Sequence, residues 1–205
     1  MPQAIGQPVF RGLDPNRPLQ VYRSNLPHFR QEGATYFATF RLADSIPKAI
    51  LKRWHAERRQ WYQAHGLTDE MSQVEWNQAY EQVHVLDREA FQKRNAHRLL
   101  LEVDKGHGCC LLEHPEMQEI VARSLRHFHG DRCWSGDYVI MPNHIHWIVQ
   151  PTTGHQLEDL LGSIKRFTAT QANRQGFYTD STRFWMSESH DRLIRDVTEL
   201  LRRRQ

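Results

Sequence analysis

Apolar and polar positions along the chain alternate in a way that predicts short strands separated by amphipathic helices. The segment ATYFATFRLA, residues 34–43, is β-branched and aromatic with partial alternation, which is typical of a strand. A helical pattern follows and ends at Gly66, and the apolar positions between residues 86 and 103 fit a second long helix. We therefore expect residues 46–105 to form a helical insertion after the first strand.

The second half of the chain repeats this alternation and defines the expected fold. Its predicted elements are, in order, a helix at 114–128, strands at 133–141 and 144–150, a helix at 157–173, a strand at 188–194 and a helix that begins at Asp196. This order is typical of an α+β domain, here residues 34–205, with a mainly antiparallel sheet and a ferredoxin-like core. Residues 1–33 are rich in Pro, Gly and Arg without a sustained period, and we expect an extended N-terminal arm.

Composition limits the class of protein. The chain has 205 residues, enough for one domain with a buried core. Its mean hydropathy is -0.72, and no apolar stretch approaches the roughly 20 residues that cross a bilayer. Its three cysteines have no Cys-x-x-Cys spacing, and its first residues lack the pattern of a secretory signal. We expect a cytoplasmic protein that does not enter a membrane.

Positive charge is concentrated toward the C-terminal end of the chain. Residues 163–205 carry nine Lys or Arg against five Asp or Glu, whereas the first 162 residues carry 18 against 19. A localised basic surface is typical of a protein that binds a polyanion, although a solvated helix face gives the same counts.

Two histidines, His144 and His146, lie in a run that otherwise has the pattern of a buried strand, YVIMPNHIHWIV. With 13 histidines in the chain, roughly 0.8 His-x-His spacings are expected by chance, so the spacing alone proves nothing. Residues two apart in a strand project from the same face, whereas His127 and His129 have this spacing at a helix end and diverge. The first pair can therefore ligate one metal ion, or can lie side by side on a solvent-facing sheet surface.

Longer motifs around this pair resemble a known family. The segments MPNHIHWIV, LEDLLGSIKRFTATQAN and RFWMSESHDRLIRD, with LPHFRQEGATYFATFRLADSIP and GHGCCLLEHPEMQEIVARSLRHF upstream, resemble the REP-associated tyrosine transposases, members of the HUH superfamily of single-strand DNA endonucleases. The resemblance covers most of residues 22–205. It implies that the protein nicks and joins single-stranded DNA at REP-type hairpins, with Mg²⁺ or Mn²⁺ on His144 and His146 and a tyrosine as the nucleophile. Imidazole ligands predict modest, Mn²⁺-tolerant affinity.

The resemblance also predicts where the nucleophile lies. In the family the tyrosine follows an Arg-Asp pair on the last helix, and matching LIRDVTELLRRRQ to that pattern places it directly after Gln205. No catalytic tyrosine is therefore expected within the chain, and Tyr178, which does not match the motif, is the weak substitute. The third metal ligand of the family, beyond its tyrosine, is missing as well.

Six residues are expected to face DNA because of the family motifs and their charge. They are Lys165, Arg166, Arg183, Trp185, Arg195 and Arg202. Trp185 is suited to stack on a base, but core packing accounts for it nearly as well, and basic residues also occur on solvated helix flanks. The N-terminal arm is expected to contact the foot of the hairpin through Arg11, Arg17, Arg23 and Arg30.

The last helix is expected to bury one apolar stripe. That stripe consists of Val197, Leu200 and Leu201. A second, polar face consists of Arg195, Glu199 and Arg202. A residue directly after Gln205 would lie on this polar face.

Functions of different kinds fit these observations. The first is a metal-dependent transposase-like enzyme, inactive as given because it lacks its tyrosine. The alternative is a non-catalytic protein that binds DNA hairpins on the same scaffold. A third is a Zn- or Mn-dependent hydrolase that uses His144 and His146. The sequence is compatible with a monomer or a homodimer.

Overall fold

The fold is described from a computed structural model that covers residues 9–22, 27–178 and 183–204. The strands are β1 Gln20–Tyr22, β2 His28–Arg30, β3 Tyr36–Arg41, β4 Cys133–Ile140, β5 His144–Pro151 and β6 His190–Leu193. The helices are α1 Lys48–Ala64, α2 Gln73–Gln82, α3 Val85–Val103, α4 Pro115–His127, α5 Leu157–Arg174 and α6 Val197–Arg203. No helix of the described residues is long and apolar enough to span a membrane.

Four strands form the central sheet, in the order β4-β5-β3-β6, and every neighbouring pair is antiparallel. Along the chain the core elements are β3, α4, β4, β5, α5 and β6, which is the ferredoxin-like β-α-β-β-α-β arrangement. The predicted α+β fold with a mainly antiparallel sheet is therefore confirmed. The predicted start of the last helix is confirmed too, because the Asp196 carboxylate accepts a hydrogen bond from the Glu199 N–H at 2.8 Å.

The main hydrophobic core lies on one face of this sheet. Alternate residues of β5, namely Ile145, Trp147 and Val149, are fully buried there with apolar residues of α4 and α5. The indole N–H of Trp147 donates to Ser135 Oγ on the neighbouring strand at 2.9 Å. This hydrogen bond and the burial of alternate residues together fix the register of β4 against β5.

Three helices, rather than the two expected, fill the range predicted to be a helical insertion. The additional helix, α2, begins after Ser72, whose hydroxyl accepts from the Glu75 N–H while the Glu75 carboxylate accepts from the Ser72 N–H. This capping signal is present in the sequence, but the few apolar positions of α2 conceal its period. Trp76 and Tyr80 of α2 belong to a small core of their own, separate from the main one.

The N-terminal segment departs from the predicted extended arm where the structure describes it. β1 and β2 pair antiparallel, and β2 packs against β6. The contact with β6 is charged, because the buried Asp191 carboxylate accepts hydrogen bonds from the Arg30 guanidinium and from the His28 ring. Burial alone would raise the pKa of Asp191, but these hydrogen bonds outweigh it and lower the pKa to about 2. The segment is thereby tied to the sheet.

The predicted buried stripe on α6 is wrong. Val197 and Leu201 are 55% and 53% exposed, whereas Glu199 is 8% exposed and faces the sheet. The Glu199 carboxylate accepts hydrogen bonds from Arg192 Nε at 2.5 Å and from the Arg195 N–H at 3.0 Å. Charge-assisted hydrogen bonds to β6 and its end therefore orient this short helix, against the preference of its apolar residues.

We expect Glu199→Gln to lower the free energy of unfolding by about 1 to 3 kcal/mol, because Arg192 would lose its carboxylate partner. Leu201→Ser should change it by less than about 0.5 kcal/mol, since that side chain is exposed. Urea denaturation followed by circular dichroism measures both. Glu89→Gln is the matched control, because Glu89 pairs with Arg195 on the surface. An equal loss for Leu201→Ser and Glu199→Gln would contradict this packing of α6.

Candidate metal centre

The two histidines of β5 lie together on the face of the sheet opposite to the main core. Their Nε2 atoms are 3.1 Å apart and their ring planes are close to perpendicular. Ile145 and Trp147 point the other way, into the core. The prediction that His144 and His146 share one face of a strand is therefore confirmed.

The buried Asn143 side chain fixes the orientation of the first imidazole. Its Nδ2 donates to the backbone oxygen of His107 at 2.9 Å, so its Oδ1 is the atom that faces His144 Nδ1 at 2.8 Å. Because an amide oxygen only accepts, the hydrogen of the neutral His144 ring is on Nδ1. The Nε2 atom of His144 therefore carries a lone pair and points at His146.

Thr39 holds the second imidazole from the neighbouring strand. In the register of β3 against β5, Thr39 is opposite His146, and its hydroxyl lies 2.9 Å from His146 Nδ1. If the hydroxyl donates, His146 Nε2 carries a hydrogen that it gives to His144. If the hydroxyl accepts, two lone pairs face each other at 3.1 Å, an arrangement that requires a cation between them. The hydroxyl thus lets the pair exist with or without a metal ion.

Burial keeps both rings in the neutral form that metal ions need. Burial, with a smaller contribution from the neighbouring His146, lowers the pKa of His144 to about 4. Burial also lowers the pKa of His146, where Asp104 opposes this effect and Arg203 adds to it. At neutral pH both imidazoles are therefore available as ligands. Among the described residues, however, no group of three or more His, Cys, Asp or Glu side chains is placed to hold a metal ion.

Positive charge gathers beside His146. Phe37 stacks on His146 with ring centroids 5.3 Å apart, and the Arg203 guanidinium carbon lies 4.8 Å from the Phe37 ring. Glu199 pairs with both Arg192 and Arg203, so one carboxylate serves two guanidinium groups. The guanidinium groups of Arg192 and Arg203 near the imidazole pair suit a phosphate group, while Asp104 adds one negative charge beside the same pair.

Four of the six residues predicted to face DNA are exposed. They are Arg166, Arg183, Arg195 and Arg202. Arg195 lies just before α6 and Arg202 lies within this helix, which contacts the histidine-bearing side of the sheet through Arg203. Arg166 belongs to α5, which packs on the core side. Of the arm arginines, Arg30 is buried against Asp191 and Arg23 lies outside the described residues, while the other two are exposed.

Lys165 and Trp185 are engaged inside the protein. The Lys165 ammonium donates to the backbone oxygens of Met186 and Ser187, both at 3.0 Å, and burial lowers its pKa to about 8. Trp185 is 5% exposed and donates its indole N–H to Thr168 Oγ1 at 2.8 Å. In this conformation the Trp185 ring offers no face to a base, and core packing accounts for it.

All six tyrosines lie in the described part of the chain, and they are placed away from the histidine pair. Tyr36, Tyr138 and Tyr178 pack in or against the main core, on the other face of the sheet. Tyr62 and Tyr80 belong to the small core of the helical insertion. The remaining one, in β1, is exposed, and its hydroxyl donates to Gln20. The weak substitute Tyr178 is therefore separated from the imidazoles by the sheet.

Sequence reasoning missed the residues that surround the pair. Thr39 meets His146 only through the pairing of β3 with β5, so its role depends on a register that the sequence does not state. Asn143 directly precedes His144, and an amide beside a candidate ligand is a signal that was available. Arg203 belongs to α6, and its position over Phe37 follows from the unexpected orientation of that helix.

Comparisons with known proteins give little similarity. No protein-family model matches the chain, and no curated protein matches it. Among solved structures, a REP-associated tyrosine transposase bound to a REP hairpin is similar over 88% of this chain, at 13% sequence identity and a TM-score of 0.42. The chain spans 66% of the length of that structure.

Proposed function

We propose that the chain binds Mg²⁺ or Mn²⁺ through His144 and His146 and acts on the phosphodiester backbone of single-stranded DNA at REP-type hairpins, as its transposase-like motifs imply. The observation that carries the proposal is a pair of Nε2 atoms that converge to 3.1 Å while each Nδ1 is held by an oxygen. Histidines on a merely solvated surface need no such partners, whereas metal ligands almost always have them.

Different residues of the chain would orient the metal ligands and bind the phosphates in such a reaction. A bound divalent ion would offset the negative charge that develops on the phosphoryl oxygens. Asn143 and Thr39 orient the two imidazoles, and burial keeps the rings unprotonated. Arg192 and Arg203, which share the single carboxylate of Glu199, would hold the flanking phosphates.

The nucleophile that the motifs imply would follow Gln205. On a continued helix, a residue in that place follows Glu199 by seven positions and Arg203 by three. It would share the face that these two residues turn toward the sheet, beside Phe37 and His146. This geometry supports attack by a tyrosine hydroxyl on a phosphate at the imidazole pair, which would form a 5′-phosphotyrosine and release the 3′-OH of the cleaved strand.

A second candidate is a non-catalytic protein that binds DNA hairpins. It is favoured by the placement of all six tyrosines, none of which contacts the histidine pair in the described part of the chain. The two candidates share the DNA surface and differ in the covalent step.

We expect the chain to bind Mn²⁺. Thr39→Val should weaken that binding by about 10-fold or more, because it removes the hydroxyl that hydrogen-bonds to His146 Nδ1. Thr35→Val is the matched control. Thr35 is also a buried threonine, lies directly before the strand that contains Thr39, and donates its hydroxyl hydrogen bond to Gln150. Electron paramagnetic resonance of free Mn²⁺ measures the affinity. Full retention of Mn²⁺ by a His144→Ala, His146→Ala double variant would refute the metal site.

We expect hairpin DNA to bind through the arginines at α6. Arg202→Gln should weaken binding of a labelled REP-type hairpin and reduce the slope of log affinity against log salt by about one, because one phosphate contact is lost. Arg174→Gln, at the exposed end of α5, is the control and should leave the slope unchanged. Titrations by fluorescence anisotropy at several salt concentrations give the slopes. Equal slopes for both variants would contradict a DNA contact through α6.

The catalytic proposal is tested by adding a tyrosine directly after Gln205. The lengthened chain should form a covalent adduct with a labelled single-stranded hairpin in Mn²⁺, while the chain that ends at Gln205 should bind the hairpin without an adduct. Denaturing gel electrophoresis separates the adduct, and His144→Ala in the lengthened chain should abolish it. Tight hairpin binding with no adduct from the lengthened chain would overturn nicking and favour the second candidate.

A further inference from the structure

The segment that follows α3 is fastened beside the histidine pair. Asn143, which orients His144, also donates to the backbone oxygen of His107. Two residues further on, the Cys109 N–H donates to the Asp44 carboxylate at 2.7 Å. This second contact depends on Gly108, which has φ +91°, because a Cβ there would lie 2.6 Å from the Asp44 side chain. The end of the insertion is therefore held against the same strand ends that carry the imidazoles.

Asp104 is the residue that this arrangement brings to the site. It directly follows the last turn of α3, and its Oδ1 lies 3.6 Å from His144 Nε2. Its side chain is 56% exposed, and within the described residues its carboxylate has no other ion pair or hydrogen bond. It also acts electrostatically on His146. The Asp104 carboxylate is thus close to His144 and acts electrostatically on His146.

The contact between Asp104 and His144 is not an ordinary ion pair. Asn143 holds the hydrogen of the neutral ring on Nδ1. The His144 Nε2 atom, which is the one near the carboxylate, therefore carries a lone pair and no hydrogen. Two acceptors at 3.6 Å gain nothing from each other, and a cation between them satisfies both. A divalent ion with bonds of about 2.1 Å at right angles separates neighbouring ligand atoms by about 3 Å. The Nε2 separation of 3.1 Å fits this geometry, and the carboxylate lies slightly outside it.

We propose, building on the function proposed above, that Asp104 turns onto a metal ion held by His144 and His146 and supplies its third protein ligand. The carboxylate would come from the helical insertion rather than from the last helix. A hard ligand is what a pair of imidazoles lacks for Mg²⁺ or Mn²⁺, since these ions prefer oxygen. In the conformation described the three side chains do not form a metal-binding group, so the half-exposed Asp104 side chain would have to rotate onto the ion.

The test compares metal affinities of Asp104→Asn and Asp131→Asn, an exposed aspartate paired only with its neighbour Arg132 among the described residues. Asp104→Asn should weaken Mn²⁺ binding by about 10-fold or more and Zn²⁺ binding much less, because imidazole suits Zn²⁺ without a carboxylate. Asp131→Asn should leave both unchanged, and Asp104→Glu should restore most of the Mn²⁺ affinity. Free Mn²⁺ is measured by electron paramagnetic resonance and Zn²⁺ by competition with a chromogenic chelator.

Two failures are distinguishable. If His144→Ala with His146→Ala abolishes Mn²⁺ binding while Asp104→Asn binds like Asp131→Asn, the histidine site stands and Asp104 is not a ligand. If the unaltered chain binds Mn²⁺ no better than the double histidine variant, both the proposed metal site and the third ligand are refuted.

Discussion

The period of two along β5 is the constraint on which the rest of the site depends. Ile145, Trp147 and Val149 are fully buried in the main core, so the residues between them must project from the other face. A slip of one residue would push both imidazoles into the apolar core and expose Trp147. The hydrogen bond from Trp147 to Ser135 Oγ opposes such a slip. Core packing on one face thus positions polar chemistry on the other.

Three distant parts of the chain meet on that second face. The sheet provides the imidazoles, the end of the insertion provides Asp104, and α6 provides Arg203. Asn143 connects the first two parts, because one amide side chain bonds both to the His144 ring and to the backbone of the 104–110 segment. The position of the third part is set by Glu199, through its hydrogen bonds near β6. Side-chain hydrogen bonds therefore connect the three parts on this face.

Sequence patterns predicted those features that depend on burial against the main core. The four strands of the central sheet and the shared face of His144 and His146 follow from the alternation of apolar residues in β5 and its neighbours. The pattern did not predict β1 and β2, which lie in the segment expected to be an extended arm. The pattern failed for α6, because a helix of seven residues with one well-placed carboxylate can turn its apolar side outward. It also failed to place Thr39 beside His146, since cross-strand partners depend on register rather than on local sequence.

The charges around the pair bear on which ligand the site suits. Arg203 lies one ring away from His146 and would repel a cation there, so the two imidazoles alone would hold a divalent ion only weakly. A phosphate group reverses this, because it neutralises the guanidinium groups and offers oxygen atoms to the ion. Under the proposed function, metal and nucleic acid therefore strengthen each other's binding by the same free energy. A hydrolase acting on neutral substrates would lack this support, which is why the arginines favour a phosphodiester over the third function considered from the sequence.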